Sequence, residues 1–286
     1  MLDREFVSKR DGFSLTGIEK GAGDSPILFL HGWLDNAASF IPVFEHLNDQ
    51  HVVAIDWPGH GHSSHRGQDA HYHFYDYVYD LLSLYAEQGW QQLHIVAHSM
   101  GGMIACAFAA AFPEKVKSLT LIDSIGFIVA EANKTTEQLR EGMLSRVKLL
   151  DKKKPVHKTI DSAIQARMIV SDLNQPSAAL LCQRGIVAVE GGYTWRADSR
   201  LRNVSPYRLT LDQAMQLVND INVPVQLIYG DKGLKMVKNA MELFLPKYKD
   251  IAIHQLSGGH HVHMEQADKT ATLIKQFVHL TDEKQA

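Results

Sequence analysis

The sequence of 286 residues predicts an α/β fold built on a mostly parallel, doubly wound sheet. Short apolar runs rich in β-branched residues recur along the chain between turn residues, and segments with helical spacing of apolar residues separate them. Strands and helices that alternate in this way form parallel sheets with right-handed crossovers. The length allows one large domain that carries an insertion.

The apolar runs predict strands at residues 27–30, 52–55, 93–97, 116–122, 225–229 and 251–256. Helical patterns predict helices at residues 37–47, 72–87, 100–112, 234–244 and 266–280. Two further segments, residues 5–7 and 13–18, predict an antiparallel hairpin at one edge of the sheet.

Between residues 125 and 206 the alternation stops, and Leu, Met and Lys recur at helical spacing. We interpret residues 125–206 as a helical cap inserted after the sixth strand, and residues 1–124 and 207–286 as the core. The core resumes at Thr210 and Gln213, which have the spacing of a capping box at the start of a helix.

Composition excludes several classes of protein. The 29 basic and 32 acidic side chains give a net charge of −3, which argues against a nucleic-acid partner. The cysteines, Cys106 and Cys182, lie in apolar segments and are typical of buried thiols in a reducing compartment. The amino terminus has no apolar stretch, and the apolar run 103–112 falls short of the roughly 20 residues that span a bilayer. We therefore expect a cytoplasmic protein without a membrane span, and its oligomeric state stays open.

A strand that runs directly into a serine points to a nucleophile. Residues 93–97 lead to Ser99, and a helix rich in alanine follows. A sharp strand-to-helix turn strains the central residue and needs small neighbours, a demand that Ala97, Gly101 and Gly102 meet. The usual G-x-S-x-G motif has glycine where Ala97 stands. The alternative interpretation is a serine that only caps the helix.

Three further runs carry a family resemblance: HGWLDNA at 31–37, GHGHSSH at 59–65 and LCQRG at 181–185. Together with the serine turn they resemble the α/β-hydrolase superfamily, and in particular the serine hydrolase-like proteins. The resemblance extends over about residues 10 to 280. It implies an α/β-hydrolase fold, with the active site at the carboxyl ends of the strands.

The resemblance implies a base histidine after the last strand, in the segment 257–265. The family pattern places the base five residues before a glutamate, which selects His260 before Glu265, with His261 as the alternative. The competing interpretation is a metal site, because His261 and His263 can share a face. We expect no metal there, since the loop offers no carboxylate at a familiar ligand spacing.

The acid of the triad departs from the common pattern. Most members of the superfamily carry it in a G-x-x-D turn after the seventh strand, but this chain has Gly230 and Gly233 at the ends of that turn, with Asp231 two residues early. Asp123 directly follows the sixth strand, from which some relatives take their acid. We therefore favour Asp123, with Asp231 as the alternative.

These residues predict a carboxylesterase-like serine hydrolase that cleaves a small carboxylic ester through an acyl-enzyme. The backbone amides of Trp33 and Met100 are expected to form the oxyanion hole, and no cofactor is required. Thioesterase, lactonase and carbon–carbon bond hydrolase reactions use the same groups. The alternatives from other classes are a ligand-binding protein without turnover and a metal-dependent hydrolase that uses paired histidines, such as His60 with His62 or His71 with His73.

Overall fold

The computed structural model describes residues 4–10, 13–23, 25–149 and 153–285. Residues 1–3, part of the amino terminus in which the sequence shows no apolar stretch, lie outside the described residues. The strands are β1 Arg4–Arg10, β2 Phe13–Lys20, β3 Ile27–Leu30, β4 Val52–Ile55, β5 Leu93–His98, β6 Val116–Ile122, β7 Ile186–Val189, β8 Gly192–Trp195, β9 Val225–Gly230 and β10 Ile251–Leu256.

Eight of these strands form one sheet in the order β1-β2-β4-β3-β5-β6-β9-β10. The pairs from β4 to β10 in this order are parallel, whereas β1 pairs with β2 and β2 with β4 in antiparallel fashion. The predicted mostly parallel sheet with an antiparallel hairpin at its edge is therefore confirmed.

The helices are α1 Ile41–Phe44, α2 Phe74–Gln88, α3 Met100–Ala111, α4 Thr135–Leu149, α5 Ile160–Ile169, α6 Gln175–Gly185, α7 Leu211–Asn219, α8 Lys235–Phe244, α9 Val262–Glu265 and α10 Ala267–Gln285. The helix predicted at 37–47 is wrong in extent, because a 3-10 turn Ala37–Phe40 precedes the short α1. Pro42 has no N–H to donate to the carbonyl of Ala38, so an α-helix cannot continue through it. The predicted capping box is present at Thr210 and Gln213.

The segment predicted as a cap, residues 125–206, follows β6 and contains α4, α5 and α6. It also contains the antiparallel hairpin β7–β8, which the helical interpretation missed. Its strands have four residues each, too few for periodicity to separate a strand from a helix. The signal that the sequence did contain is the Gly191–Gly192 pair, at which φ is 84° and 144° in the hairpin turn.

Apolar side chains cover both faces of the sheet. Leu28 on one face belongs to a cluster of buried side chains that includes residues of α2, α3 and α7, whereas Phe29 on the other face belongs to a cluster that includes residues of α1 and α10. Strands buried on both faces read as continuous apolar runs, as β3 and β4 do. The carboxyl ends of the strands remain as the edge at which polar side chains converge. No helix in the described part of the chain is long and apolar enough to cross a membrane.

Candidate active site

Ser99 lies at the turn between β5 and α3, with φ 51° and ψ −118°. A side chain at Gly101 would place its Cβ 2.4 Å from the carbonyl oxygen of Leu30, so α3 can approach β3 only because this position has no side chain. Ser99 occupies the N-cap position of α3, but its hydroxyl makes no capping hydrogen bond. The capping interpretation therefore does not account for this hydroxyl.

Three side chains from separate strand ends form a continuous hydrogen-bonded chain. The Nε2 atom of His260 lies 2.9 Å from Ser99 Oγ, and its Nδ1 atom lies 2.6 Å from Asp123 Oδ2. Ser99 is half-buried, whereas the side chain of Asp123 is 1% exposed. The other oxygen of Asp123 accepts a hydrogen bond from the backbone N–H of Gly230 at 3.3 Å. This arrangement can supply a nucleophile, a base and an orienting acid.

The alternative acid, Asp231, lies elsewhere. Its Oδ1 accepts a hydrogen bond from the backbone N–H of Gly258 at 2.9 Å, which ties the end of β9 to the histidine loop. A Cβ at Gly233 would lie 2.4 Å from Asp123 Oδ1. The carboxylate of Asp123 therefore occupies the volume that a side chain at position 233 would take.

The two expected oxyanion donors flank the serine. A Cβ at Gly32 would lie 3.1 Å from Ser99 Cβ, which places the turn before Trp33 against the nucleophile. Among the described residues, no acceptor receives a hydrogen bond from the backbone N–H of Trp33 or Met100. The indole Nε1 of Trp33 donates to the carbonyl of Leu201 at 3.0 Å, so this turn is attached to the end of the cap.

His31 and His60 accept hydrogen bonds from backbone N–H groups in the turns around the site. His31 Nε2 accepts from the backbone N–H of Trp57 at 3.0 Å, and His60 Nε2 accepts from that of Leu34 at 3.1 Å. Burial lowers the pKa of His31 to about 4 and that of His60 to about 3, so both rings are neutral acceptors at pH 7.

His261, the alternative base, is bonded to two carboxylates and not to Ser99. Its Nδ1 lies 2.8 Å from Asp172 Oδ1, and its Nε2 lies 3.2 Å from Asp35 Oδ2. Burial alone would lower its pKa, but Asp35 and Asp172 together raise the pKa to about 9. The sequence did not indicate these carboxylates, because they lie 226 and 89 residues before His261.

Two more buried histidines, His98 and His263, lie next to His260 and His261. His98 Nε2 donates to the carbonyl oxygen of His260 at 3.0 Å, and its Nδ1 lies 3.5 Å from Asp35 Oδ2. The ring of His263 is fully buried, and neither of its nitrogens has a hydrogen-bond partner in the described structure. Burial lowers the pKa of His98 to about 4 and that of His263 well below its usual range.

The histidine pairs that the sequence suggested for a metal-dependent hydrolase do not come together as a group of metal ligands in the described structure. His62 pairs with Glu5 at 3.2 Å, and the rings of His71 and His73 lie 6.5 Å apart. Within the described residues, the group that brings three ligand atoms within 4.8 Å of one another is Asp35, His98 and His261.

An apolar cavity of about 380 Å³ is lined in part by α3, the helix that begins directly after Ser99. Its wall includes Phe74 from α2, Met103 from α3 and Phe127 from the segment after β6. The backbone N–H of Met103 donates to the carbonyl of Ser99 at 3.3 Å, so this wall begins one helical turn beyond the serine. The cavity can hold the apolar part of a small ligand.

Comparison with known proteins assigns this chain to a family. Residues 25–267 match the family described as alpha/beta hydrolase fold. A serine hydrolase-like protein of Danio rerio is 29% identical over 266 residues, covering 88% of this chain and 81% of its own length. The resemblance inferred from the motifs is therefore confirmed.

Solved structures have the same fold over nearly the whole chain. The crystal structure of a hypothetical protein from Pseudomonas aeruginosa PAO1 has a TM-score of 0.90 and 36% identity, covering 96% of this chain and 99% of that one. The thioesterase domain from the curacin biosynthetic pathway has a TM-score of 0.81 and 25% identity, with coverage of 96% and 99%. These similarities support a hydrolase function, and the chain belongs to the α/β-hydrolase family.

Proposed function

We propose that this chain is a serine hydrolase that cleaves small carboxylic esters through an acyl-enzyme. The observation that carries the proposal is the unbroken hydrogen-bonded chain from Ser99 Oγ through the His260 ring to Asp123, with distances of 2.9 and 2.6 Å. A hydroxyl gains nucleophilicity when a base accepts its proton and an acid stabilises the imidazolium that forms.

In the proposed reaction, Ser99 Oγ attacks the ester carbonyl while His260 Nε2 accepts its proton. The carbonyl oxygen becomes an oxyanion, and the amides of Trp33 and Met100 donate hydrogen bonds to it. His260 then transfers the proton to the departing alcohol, and the acyl group remains on Ser99. A water molecule, deprotonated by His260, releases the carboxylic acid and restores the serine.

The surroundings of the serine support a small substrate with an apolar acyl group. The cavity beside Met103 has a volume of about 380 Å³ and a mainly apolar wall. We propose that it holds the acyl chain, and that residues 125–206 act as a cap above it. Cap contacts support this role, because Leu201 accepts a hydrogen bond from the Trp33 side chain.

A thioester is the second candidate substrate. The similarity to the thioesterase domain from the curacin pathway favours it, and the proposed residues would cleave a thioester by the same steps. The two candidates differ in the leaving group, so parallel assays separate them.

The test combines labelling with turnover. We expect a fluorophosphonate probe to label the wild type at Ser99 and to leave the folded Ser99→Ala variant unlabelled. Aromatic esters and acyl thioesters of increasing acyl length, assayed side by side, should show a higher kcat/KM for short esters than for the matching thioesters. A folded wild type that neither reacts with the probe nor hydrolyses any ester or thioester would instead indicate a ligand-binding protein.

A further inference from the structure

Asp35, His98 and His261 bring three potential metal ligands together next to the His260 ring. Asp35 Oδ2 lies 3.2 Å from His261 Nε2 and 3.5 Å from His98 Nδ1. In a tetrahedral zinc site with bonds of about 2.0–2.1 Å, neighbouring ligand atoms lie about 3.3–3.4 Å apart. All three residues are buried, so the spacing of their ligand atoms is set by the fold.

Each of these residues is also held from its far side. His98 Nε2 bonds to the carbonyl of His260 at 3.0 Å, and His261 Nδ1 lies 2.8 Å from Asp172. The second oxygen of Asp35 accepts a hydrogen bond from Arg167 on α5. Metal-binding histidines and carboxylates are typically oriented by partners of this kind.

The tautomer of His98 leaves its Nδ1 atom without a hydrogen-bond partner in the described structure. A carbonyl oxygen can only accept, so the bond to His260 places the proton of the neutral ring on Nε2. The lone pair of Nδ1 then faces the Asp35 carboxylate, and Nδ1 has no hydrogen-bond partner in the described structure. A cation between these two buried acceptors would interact favourably with both.

His263 provides an independent observation. Its ring is fully buried beside His98, with 4.5 Å between ring centroids, and both of its nitrogens lack a partner among the described residues. A buried imidazole without hydrogen bonds is unfavourable unless another ligand takes up its lone pair. His263 lies outside the group of three whose ligand atoms are within 4.8 Å of one another, so it supplies a fourth ligand only if its side chain moves toward that group.

We propose that Asp35, His98 and His261, with His263, bind a structural zinc ion. Nitrogen and carboxylate ligands in a closed four-ligand set suit Zn²⁺. The sequence favoured no metal because the histidine loop has no nearby carboxylate, but the fold supplies Asp35 from the turn after β3 and Asp172 from the segment after α5. The ion stabilises the loop that carries His260 and takes no part in the hydrolysis.

The test uses metal-free Ser99→Ala protein, so that it does not depend on hydrolytic activity. Titration with Co²⁺ should give one bound ion per chain, with the strong visible absorption of four-coordinate cobalt, and Zn²⁺ should displace it. Asp35→Asn and His98→Gln should abolish this signal. Asp172→Asn, which removes an outer partner, should weaken cobalt binding about 10–100-fold. The matched control, His71→Gln with His73→Gln, should leave the titration unchanged.

A crystal of the wild type grown with Zn²⁺ tests the site independently of any variant. The anomalous signal of zinc should peak between Asp35, His98 and His261. No peak at this position under saturating zinc would overturn the proposal, and Arg167 and a protonated His261 would then balance the charge of Asp35. Loss of cobalt binding in the His71→Gln, His73→Gln control but not in Asp35→Asn would also overturn it. Labelling of Ser99 in the wild type tests the proposed hydrolase separately.

Discussion

At the scale of single residues, the position of the acid depends on both Asp123, which follows β6, and Gly233, which follows the neighbouring strand β9. β6 and β9 are parallel, and Ile122 pairs with Ile228 just before both strands end. A carboxylate that follows β6 therefore reaches the same imidazole as one that follows β9. Because position 233 carries no side chain, Asp123 occupies that volume and bonds to His260.

The choice of acid is tested by comparing two isosteric variants. Asp123→Asn should lower kcat by about a thousandfold to ten-thousandfold, because the amide no longer holds the productive tautomer of His260. In the described structure the Asp231 carboxylate accepts a hydrogen bond only from the backbone amide of Gly258. Asp231→Asn should therefore change kcat by less than about tenfold. Ester turnover and probe labelling measure both. Equal losses in the two variants would contradict the assignment.

Gly233→Ala tests the shared volume. The added methyl would meet Asp123 Oδ1 at 2.4 Å and displace the carboxylate from His260, so we expect kcat to fall by about 10–100-fold at similar thermal stability. Gly23→Ala is the matched control, because its Cβ would meet its first neighbour, on His51, at 3.6 Å. The second measurement is Asp123→Ala combined with Gly233→Asp, which should recover part of the activity lost in Asp123→Ala. A fully active Gly233→Ala variant would show that this volume does not constrain the acid.

At the scale of elements, Asp198 joins the end of the cap to the segment between β4 and α2. Its side chain caps the 3-10 turn Ser199–Arg202, accepts from Arg200 and accepts from the hydroxyl of Tyr72 at 2.9 Å. Although burial opposes ionisation, the bonds from Arg200 and Tyr72 lower the pKa of Asp198 to about 2. The charged carboxylate is therefore part of the junction between the segment 125–206 and the segment before α2.

This junction should make the protein sensitive to acid. The pKa of Asp198 is about 2 when folded and 3.8 when unfolded, so its contribution is complete above pH 3.8 and is lost as the pH falls through 2. The free energy of unfolding of the wild type should fall by about 1–2 kcal/mol more than that of Asp198→Asn between pH 5 and pH 2. Urea unfolding at both pH values measures this difference. Parallel losses in the two proteins would assign the acid sensitivity to other groups.

At the scale of the whole molecule, Arg184 links three parts of the chain. It lies at the end of α6 in the cap and bonds to Asp56 after β4 at 2.8 Å and to Glu5 of β1 at 3.0 Å. Asp56 is fully buried and also accepts from the backbone N–H groups of Ala37 and His62. Helix α6 is thus attached to the end of β4 through a buried charge pair.

Arg184→Gln should therefore destabilise the entire fold. It leaves the buried carboxylate of Asp56 without its cation, at about 2–4 kcal/mol of unfolding free energy, or a fall in Tm of roughly 5–12 °C. The control is Arg4→Gln, because Arg4 is 65% exposed in its pair with Glu19 and its loss should leave Tm nearly unchanged. Calorimetry of both variants measures the difference. Similar Tm values for the two variants would rule out a special role for the Arg184 link.

The sequence alone was sufficient for the parallel sheet, the edge hairpin, the serine turn and the family, because each depends on patterns within a few neighbouring residues. It was insufficient for the hairpin β7–β8, whose strands are too short to show a period. It also left open which acid contacts His260, and it missed the group formed by Asp35, Asp172 and the buried histidines. Only the tertiary structure decided these contacts, because side chains far apart in the sequence meet where parallel strands end together, and no local pattern records which of them will meet.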